Sequence, residues 1–539
     1  MNNCPNCNEE LEKGAVSCEK CGYEFDTIKS HSAKKSFKLS LLLKIAIPVV
    51  AVVLAVVIIL LSIPSPMEAS YANFGYFRDG ELFLSDFTKG AGDQVSEDFK
   101  ESNVLFSNYK DFIRMSSDGK KIFYVDYFDG TSYKLYYKNT SDLSTSYKIS
   151  SGIIIYDISD DGSVVTYTKN NGSLHQHNLT EQSDAIDTNV VNYLVSDNGS
   201  KIIYEKRSDG EDSNTYDIYI SENGNKGEKV LSSVASLKYV SEDFSTIYYT
   251  SNDILYRANI GKTPKQLADN VRDVIMIYES GEMYFTKANE SGEASLYYFD
   301  GKKISDPIFT NFYRTESASD EQAVLAVYDS NNIERPFNIV IKDKSYSIDY
   351  DISSITMNDA GTEVYFTAGF DMSTKLSKLY TAKIDAEGLG KVKKVSDDVT
   401  YGRHLSGEKF IYVKDYDTAS MVGTICVEGE EIAKNVNFNT MQYNKADDSL
   451  LYFSDVVDGS AKLYRYKNGK SQIIHESVYM NSLNVAEDGH YVFIADYYKG
   501  EGILYCANGN KFEKIDHDIS DAFLIVSNEE YDTRARLSF

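Results

Sequence analysis

The apolar positions of this chain follow two different patterns. From Leu39 to Ile63 they form one run of 25 residues, LSLLLKIAIPVVAVVLAVVIILLSI, interrupted by a single charge at Lys44. A bilayer core of about 30 Å is crossed by roughly 20 helical residues, so the run predicts a transmembrane helix, with Lys44 one turn inside and able to snorkel to the interface. After residue 70 the pattern changes to short Val-, Ile- and Tyr-rich stretches separated by turn residues, with no sustained helical period. That pattern predicts β-strands.

The strand pattern repeats. A strand ending in an acidic turn and re-emerging as an aromatic-rich strand recurs as MSSDGKKIFYV, ISDDGSVVTYT, VSDNGSKIIYE, MNDAGTEVYFT and VAEDGHYVFIA, with degenerate copies between them. The turn positions Gly119, Gly162, Gly199, Phe244, Gly281, Glu321, Gly361, Gly407, Asp448 and Gly489 are spaced by 37 to 46 residues, the period of a four-stranded propeller blade. One repeat reads as strand A over Val190 to Val195, a Ser-Asp-Asn-Gly turn, strand B over Lys201 to Lys206, strand C over Tyr216 to Ser221 and strand D over Glu228 to Ser232. Its turns carry Gly, Asn and Asp, which accept the positive φ of tight hairpins.

At the ends of the array, Phe74 to Phe77 and Glu81 to Ser85 read as strands B and C with no A before them, while Ala522 to Val526 reads as an A with nothing after it. Joined, the two fragments complete one blade. The count is then about eleven, arranged as one large ring or as two rings of five and six. Rings of four to eight are the usual size, which favours two.

Charge counted by segment sets the orientation. Residues 1–44 hold seven Lys against six Asp or Glu, a net of +1, whereas the remainder holds 48 basic and 75 acidic residues, a net of −27. Lys29, Lys34, Lys35 and Lys38 precede the apolar run, and Pro64, Pro66 and Glu68 follow it. The positive-inside rule places the N-terminus in the cytosol and the acidic C-terminal domain outside. A cleaved signal peptide is the alternative, but it would have a shorter apolar region nearer residue 1. Acidity of the large domain argues against nucleic acid as a partner.

Four of the six cysteines lie in the first 21 residues, as Cys4-Pro-Asn-Cys7 and Cys18-Glu-Lys-Cys21-Gly22. Two such knuckles bring four thiolates onto one tetrahedral ion, and in a reducing cytosol Zn²⁺ is favoured over disulfides. The pattern resembles the zinc-ribbon modules at the N-termini of many bacterial membrane proteins, with Asn8 where the first knuckle usually has Gly. The expected organisation is a zinc ribbon over 1–25, a basic juxtamembrane linker over 26–38, the membrane helix over 39–63 and an all-β propeller over 71–530. Cys426 and Cys506 occupy equivalent strand positions two repeats apart, too far for a disulfide, and are expected to be buried thiols.

The repeats resemble those of the Tol-system periplasmic protein and of prolyl-peptidase propellers: SDNGSKIIYE with YDIYIS and SSDGKKIFYV with KLYYK match their S-x-D-G-x-x-I-a-F and d-I-Y-v pattern. That resemblance implies architecture, not activity. No G-x-S-x-G elbow and no Trp are present, which removes the prolyl-peptidase nucleophile and the sialidase box, so the domain is expected not to be an enzyme. His175 and His177 share a strand face but have no third ligand in the pattern, and Asp160 and Asp161 are expected to support their turn and not a Ca²⁺ ion. The repeated tyrosines Tyr124, Tyr167, Tyr204, Tyr248, Tyr284, Tyr365, Tyr412 and Tyr452 are expected to fill the core.

These readings describe a bacterial single-pass membrane protein whose external domain binds a protein, a peptide or a cell-wall polysaccharide, the ribbon meeting a cytosolic protein. A glycan hydrolase or lyase and a transmembrane sensor are the alternatives. Recognition is expected in insertions between strands B and C: Asp126 to Ser132, Ser208 to Thr215, Phe370 to Lys375 and Asp415 to Met421.

Overall fold

The computed structural model describes residues 2–4, 6–7, 10–11, 17–22, 74–87, 90–96, 113–179, 185–208, 214–289, 292–310, 312–319, 321–329, 337–385, 387–405, 409–417 and 419–525. The expected linker and membrane helix lie outside them, as do Asn8 and most of the Ser208 to Thr215 insertion. Among the described residues no helix is long and apolar enough to cross a membrane. The chain divides into two compact units, Met1–Ala69 and Ser70–Phe539.

In the first unit, Asn2–Asn3 and Glu10–Leu11 pair as antiparallel strands. The second is all antiparallel β, as the period predicts. The repeat read strand by strand stands as a sheet of its own, Val190–Val195, Lys201–Arg207, Tyr216–Glu222 and Glu228–Val234, each strand bonded to the next. Where D of one repeat runs without a break into A of the next, as in Asp142–Ile158 and Glu430–Asn444, neighbouring repeats share one long strand.

Burial falls from B to D. Strand B is apolar on both faces, as in Lys121–Asp126 (KIFYVD), because each sheet is covered on both sides by its neighbours. Strand C alternates, as in Ser460–Lys467, and strand D is mostly exposed, as in Glu228–Val234. The eight repeated tyrosines are all buried.

The Ser-x-Asp-Gly turns explain themselves atom by atom. Ser159 Oγ donates to Asp161 Oδ1 at 2.7 Å and accepts the Val164 amide at 3.0 Å, while Asp161 Oδ1 accepts the Ser163 amide at 2.9 Å. Gly162 has φ +59°, and a Cβ there would come within 3.0 Å of Phe123 and Ser116 of the preceding repeat. Glycine thus answers both a backbone and a packing demand. Phe244 holds the same place with φ +58° and drives its ring into the core. Successive turns are joined: the Ser117 amide donates to the Asp160 carbonyl and the Asp160 amide to the Asp197 carbonyl, each at 2.7 Å.

Hydrogen bonds from Ser241 and the Ser245 amide hold the Asp243 carboxyl down at about 2. A depressed carboxylate stabilises the fold above its unfolded value of about 3.9 and loses that contribution as pH falls through its folded value. The thermal midpoint is therefore expected to fall between about pH 4 and pH 2; a flat profile there would show that these turns add nothing.

A buried apolar cluster lies between each repeat and the next. Phe123 and Leu135 meet Tyr156 and Val165, Leu194 and Ile203 meet Leu237 and Ile247, and Tyr365 and Leu379 meet Phe410 and Tyr412. The last strands close on the first. Ile519 to Leu524 pair with Phe74–Arg78, which pairs with Glu81–Ser85, completing the split blade as expected from the two ends. Phe74 and Tyr76 pack with Val492 and Leu504, and Phe77 and Leu84 with Tyr124 and Phe523.

Candidate functional site

All four N-terminal thiols converge. Their Sγ atoms lie within 4.8 Å of one another, and among the described residues this is the one His, Cys, Asp or Glu group placed to hold a metal ion. Sulfurs approach across the knuckles, Cys4 to Cys21 at 3.7 Å and Cys7 to Cys18 at 3.6 Å. Four sulfurs about 2.3 Å from a tetrahedral ion would be about 3.8 Å apart, and a disulfide needs about 2.05 Å. The set fits an ion and not a bridge. The Gly22 amide donates to the Cys18 carbonyl at 2.8 Å, and Gly22 sits at φ +72° with open space where a Cβ would stand, so its role is the tight turn after the second knuckle. Cys4 and Cys18 are buried, Cys7 and Cys21 exposed.

The other candidates are structural. His175 stacks on Tyr167 with ring centroids 5.2 Å apart and shares a hydrogen bond with Ser173 Oγ at 2.9 Å. Burial pushes the His177 imidazole below its ordinary value. Asp160 and Asp161 serve the turn contacts given above. Cys426 and Cys506 are buried thiols in strands Val422–Val427 and Glu501–Asn508, and burial pushes the Cys506 thiol up to about 12. With so little thiolate at pH 8, both are expected to resist iodoacetamide in the folded protein and to react after unfolding. Rapid native labelling of either would contradict the burial.

The described B–C insertions are hairpins organised by their own aspartates. Asp129 accepts the Thr131 and Ser132 amides, each at 2.9 Å, and the Thr131 amide first among these bonds holds its carboxyl at about 2. Ser373 does the same for Asp371, and Ser420 for Asp417, both held below the usual carboxylate range. Two further hairpins, at Asp455 to Ser460 and Asp496 to Glu501, extend their strands in the same way. Sequence reading passed over them because their loops are short; the signal was an Asp followed by two apolar residues.

No family model matches this sequence, and no curated protein is similar to it. Among solved structures, the β-propeller domain of the Trilobed protease from Pyrococcus furiosus is similar at 11% identity over 67% of this chain and 95% of that one, with a TM-score of 0.24. Dipeptidyl peptidase 4 of Porphyromonas gingivalis is similar at 12% identity over 71% of this chain and 60% of that one, with a TM-score of 0.29. TolB of Acinetobacter baumannii is similar at 12% identity over 44% of this chain and 65% of that one, with a TM-score of 0.22. The expectation that the strand domain is no enzyme is corrected: a protease's propeller domain and a peptidase stand among these similar structures.

Proposed function

We propose that this chain is a bacterial single-pass membrane protein in which a cytosolic zinc ribbon is joined, through a span at Leu39 to Ile63, to an external propeller that recognises a protein, peptide or cell-wall polymer. Zn²⁺ would be held by Cys4, Cys7, Cys18 and Cys21; it would supply the ribbon with its core, which 25 residues cannot otherwise bury. The propeller is a single ring of eleven blades and not two smaller ones. What supports this is the unbroken series of buried clusters, each joining consecutive repeats, with the last returning to the first.

The observation that carries the recognition reading is this division of labour. Strand positions are committed to the core, and the self-capped B–C hairpins are exposed and free to differ from repeat to repeat. Tagged full-length protein in mild detergent, incubated with wall polymers and surface proteins, is expected to retain a ligand that washes off a tag-only control. Retention no greater than the control would remove the reading. Protease added to intact cells is expected to digest the propeller and spare the ribbon; protection of the propeller would invert the topology.

A further inference from the structure

Four consecutive repeats carry the same unusual hairpin. Strand B pairs regularly with strand C up to Ala368, Lys414, Ser454 and Ala495, then the register slips, and pairing resumes at Asp371↔Leu376, Asp417↔Val422, Val457↔Ser460 and Tyr498↔Glu501. The first residue of each bulge has positive φ, Gly369 at 68°, Asp415 at 53°, Asp455 at 56° and Asp496 at 51°. Opposite it on strand C stands a small residue, Ser377, Gly423, Ala461 or Gly502. A Cβ on Gly502 would come within 2.5 Å of Ile494 and 2.7 Å of the Ala495 carbonyl, the last regular residues before the bulge, so strand B packs directly on its partner where the bulge begins. A bulge bends and twists its hairpin, and here it lengthens each beyond the sheet.

These hairpins carry exposed apolar side chains at their tips: Phe370 is 43% exposed, Met372 71%, Met421 51%, Val457 67% and Tyr498 73%. By contrast, the turns Asp79-Gly80, Asn170-Asn171-Gly172 and Asn252-Asp253 between the same two strands hold polar residues and glycine only, and outside the four repeats the hairpin Asp126 to Ser132 carries one exposed aromatic, Tyr127. The four repeats adjoin one another through shared clusters, and a B–C hairpin in every repeat leaves the same face of the array. The apolar tips therefore form one row. Segments 369–375, 415–421, 455–460 and 496–501 together hold seven acidic residues and two basic ones. Of the acidic ones, Asp371, Asp417, Asp458 and Glu501 are all exposed.

We propose that this row of four bulged hairpins is the recognition surface and that its occupant is a basic polypeptide segment carrying apolar side chains. The inference rests on the recognition reading above and names its site and ligand class. Exposed apolar tips supply buried area on binding, and the surrounding carboxylates select lysine and arginine and repel acidic chains. Neutral or anionic wall polymers do not match this combination.

The test uses the full-length protein in lipid nanodiscs and a labelled twelve-residue peptide of four Lys-Phe-Ser repeats, read by fluorescence anisotropy. Binding is expected, weakening as salt is raised. Peptides with Glu for Lys, or with Ser for Phe, are expected to bind at least about tenfold more weakly. The combined variant Met372→Ser, Met421→Ser, Val457→Ser and Tyr498→Ser is expected to lose about tenfold or more in affinity for the Lys-Phe-Ser peptide while keeping its thermal midpoint. Asp458→Lys with Glu501→Lys is expected to weaken binding without touching the apolar tips. Equal binding of the glutamate peptide, or full affinity in the combined variant, would overturn the proposal. If the combined variant still retained in the capture experiment whatever the native chain retains, this surface would be wrong and the recognition reading would stand; failure of the native chain to retain anything would remove both.

Discussion

Replacing Cys18 by serine is expected to strip the metal from the N-terminal unit and unfold it. Cys18 is buried and its sulfur lies 3.6 Å from that of Cys7. A hydroxyl there neither ionises at neutral pH nor matches the softness of thiolate, so three ligands would remain where four are needed. Structural Zn²⁺ binding of this kind contributes on the order of 10–16 kcal/mol at pH 7, and in so short a segment that is folding free energy. Metal analysis should give close to one Zn²⁺ per native chain and less than half an equivalent in the variant. The strand domain, a separate compact unit, should keep its thermal midpoint. Unchanged Zn²⁺ content in Cys18→Ser would defeat the assignment. Because each thiol must lose its proton to bind, affinity should also fall as pH is lowered, the sign set by protons competing for sulfur.

Phe523→Ala is expected to be the most damaging single truncation in the strand domain, because it acts where the ring closes. Phe523 is 1% exposed and packs between the first and second repeats with Phe77 and Leu84. Its ring lies so close over Gly75 that a Cβ there would come within 2.6 Å of its Cζ. Truncating so buried a ring leaves a cavity, so the cost should sit in the range of about 3–5 kcal/mol seen for buried Phe→Ala. At the adjoining junction, between the last repeat and the first, Tyr76 and Arg78 both donate to Asp516 Oδ2, at 2.9 and 2.7 Å. In an array whose repeats touch only their neighbours, weakening this contact leaves two exposed edges in place of one interface. Urea unfolding of the two proteins measures the difference. A loss under about 1 kcal/mol, on a scale where core truncations cost several, would mean that closure does not depend on this ring.

Local chemistry was legible in the residues and long-range assembly was not. The knuckle spacing placed the four thiols, and the Ser-x-Asp-Gly turns and Val, Ile and Tyr stretches placed strands such as Val190–Val195 to the residue, because each of those choices is made within about ten positions by hydrogen bonds and φ limits. Even the split blade could be read, since its two halves each lacked what the other supplied. The expectation of no enzyme was argued from a missing motif, and motifs identify chemistries one by one, so their absence describes none. Two of the four slipped hairpins, Phe370 to Lys375 and Asp415 to Met421, were legible as insertions, but the bulge that all four share was not. A bulge depends on the partner strand having Ser377, Gly423, Ala461 or Gly502 opposite it, a pairing that no single strand displays. Which repeat packs on which, that Phe244 can take the glycine's positive φ in exchange for core burial, and that Tyr76 meets Asp516 across 440 residues were decided only by the closed tertiary structure, since contacts between distant segments depend on the summed geometry of every repeat between them and leave no periodic trace in the chain.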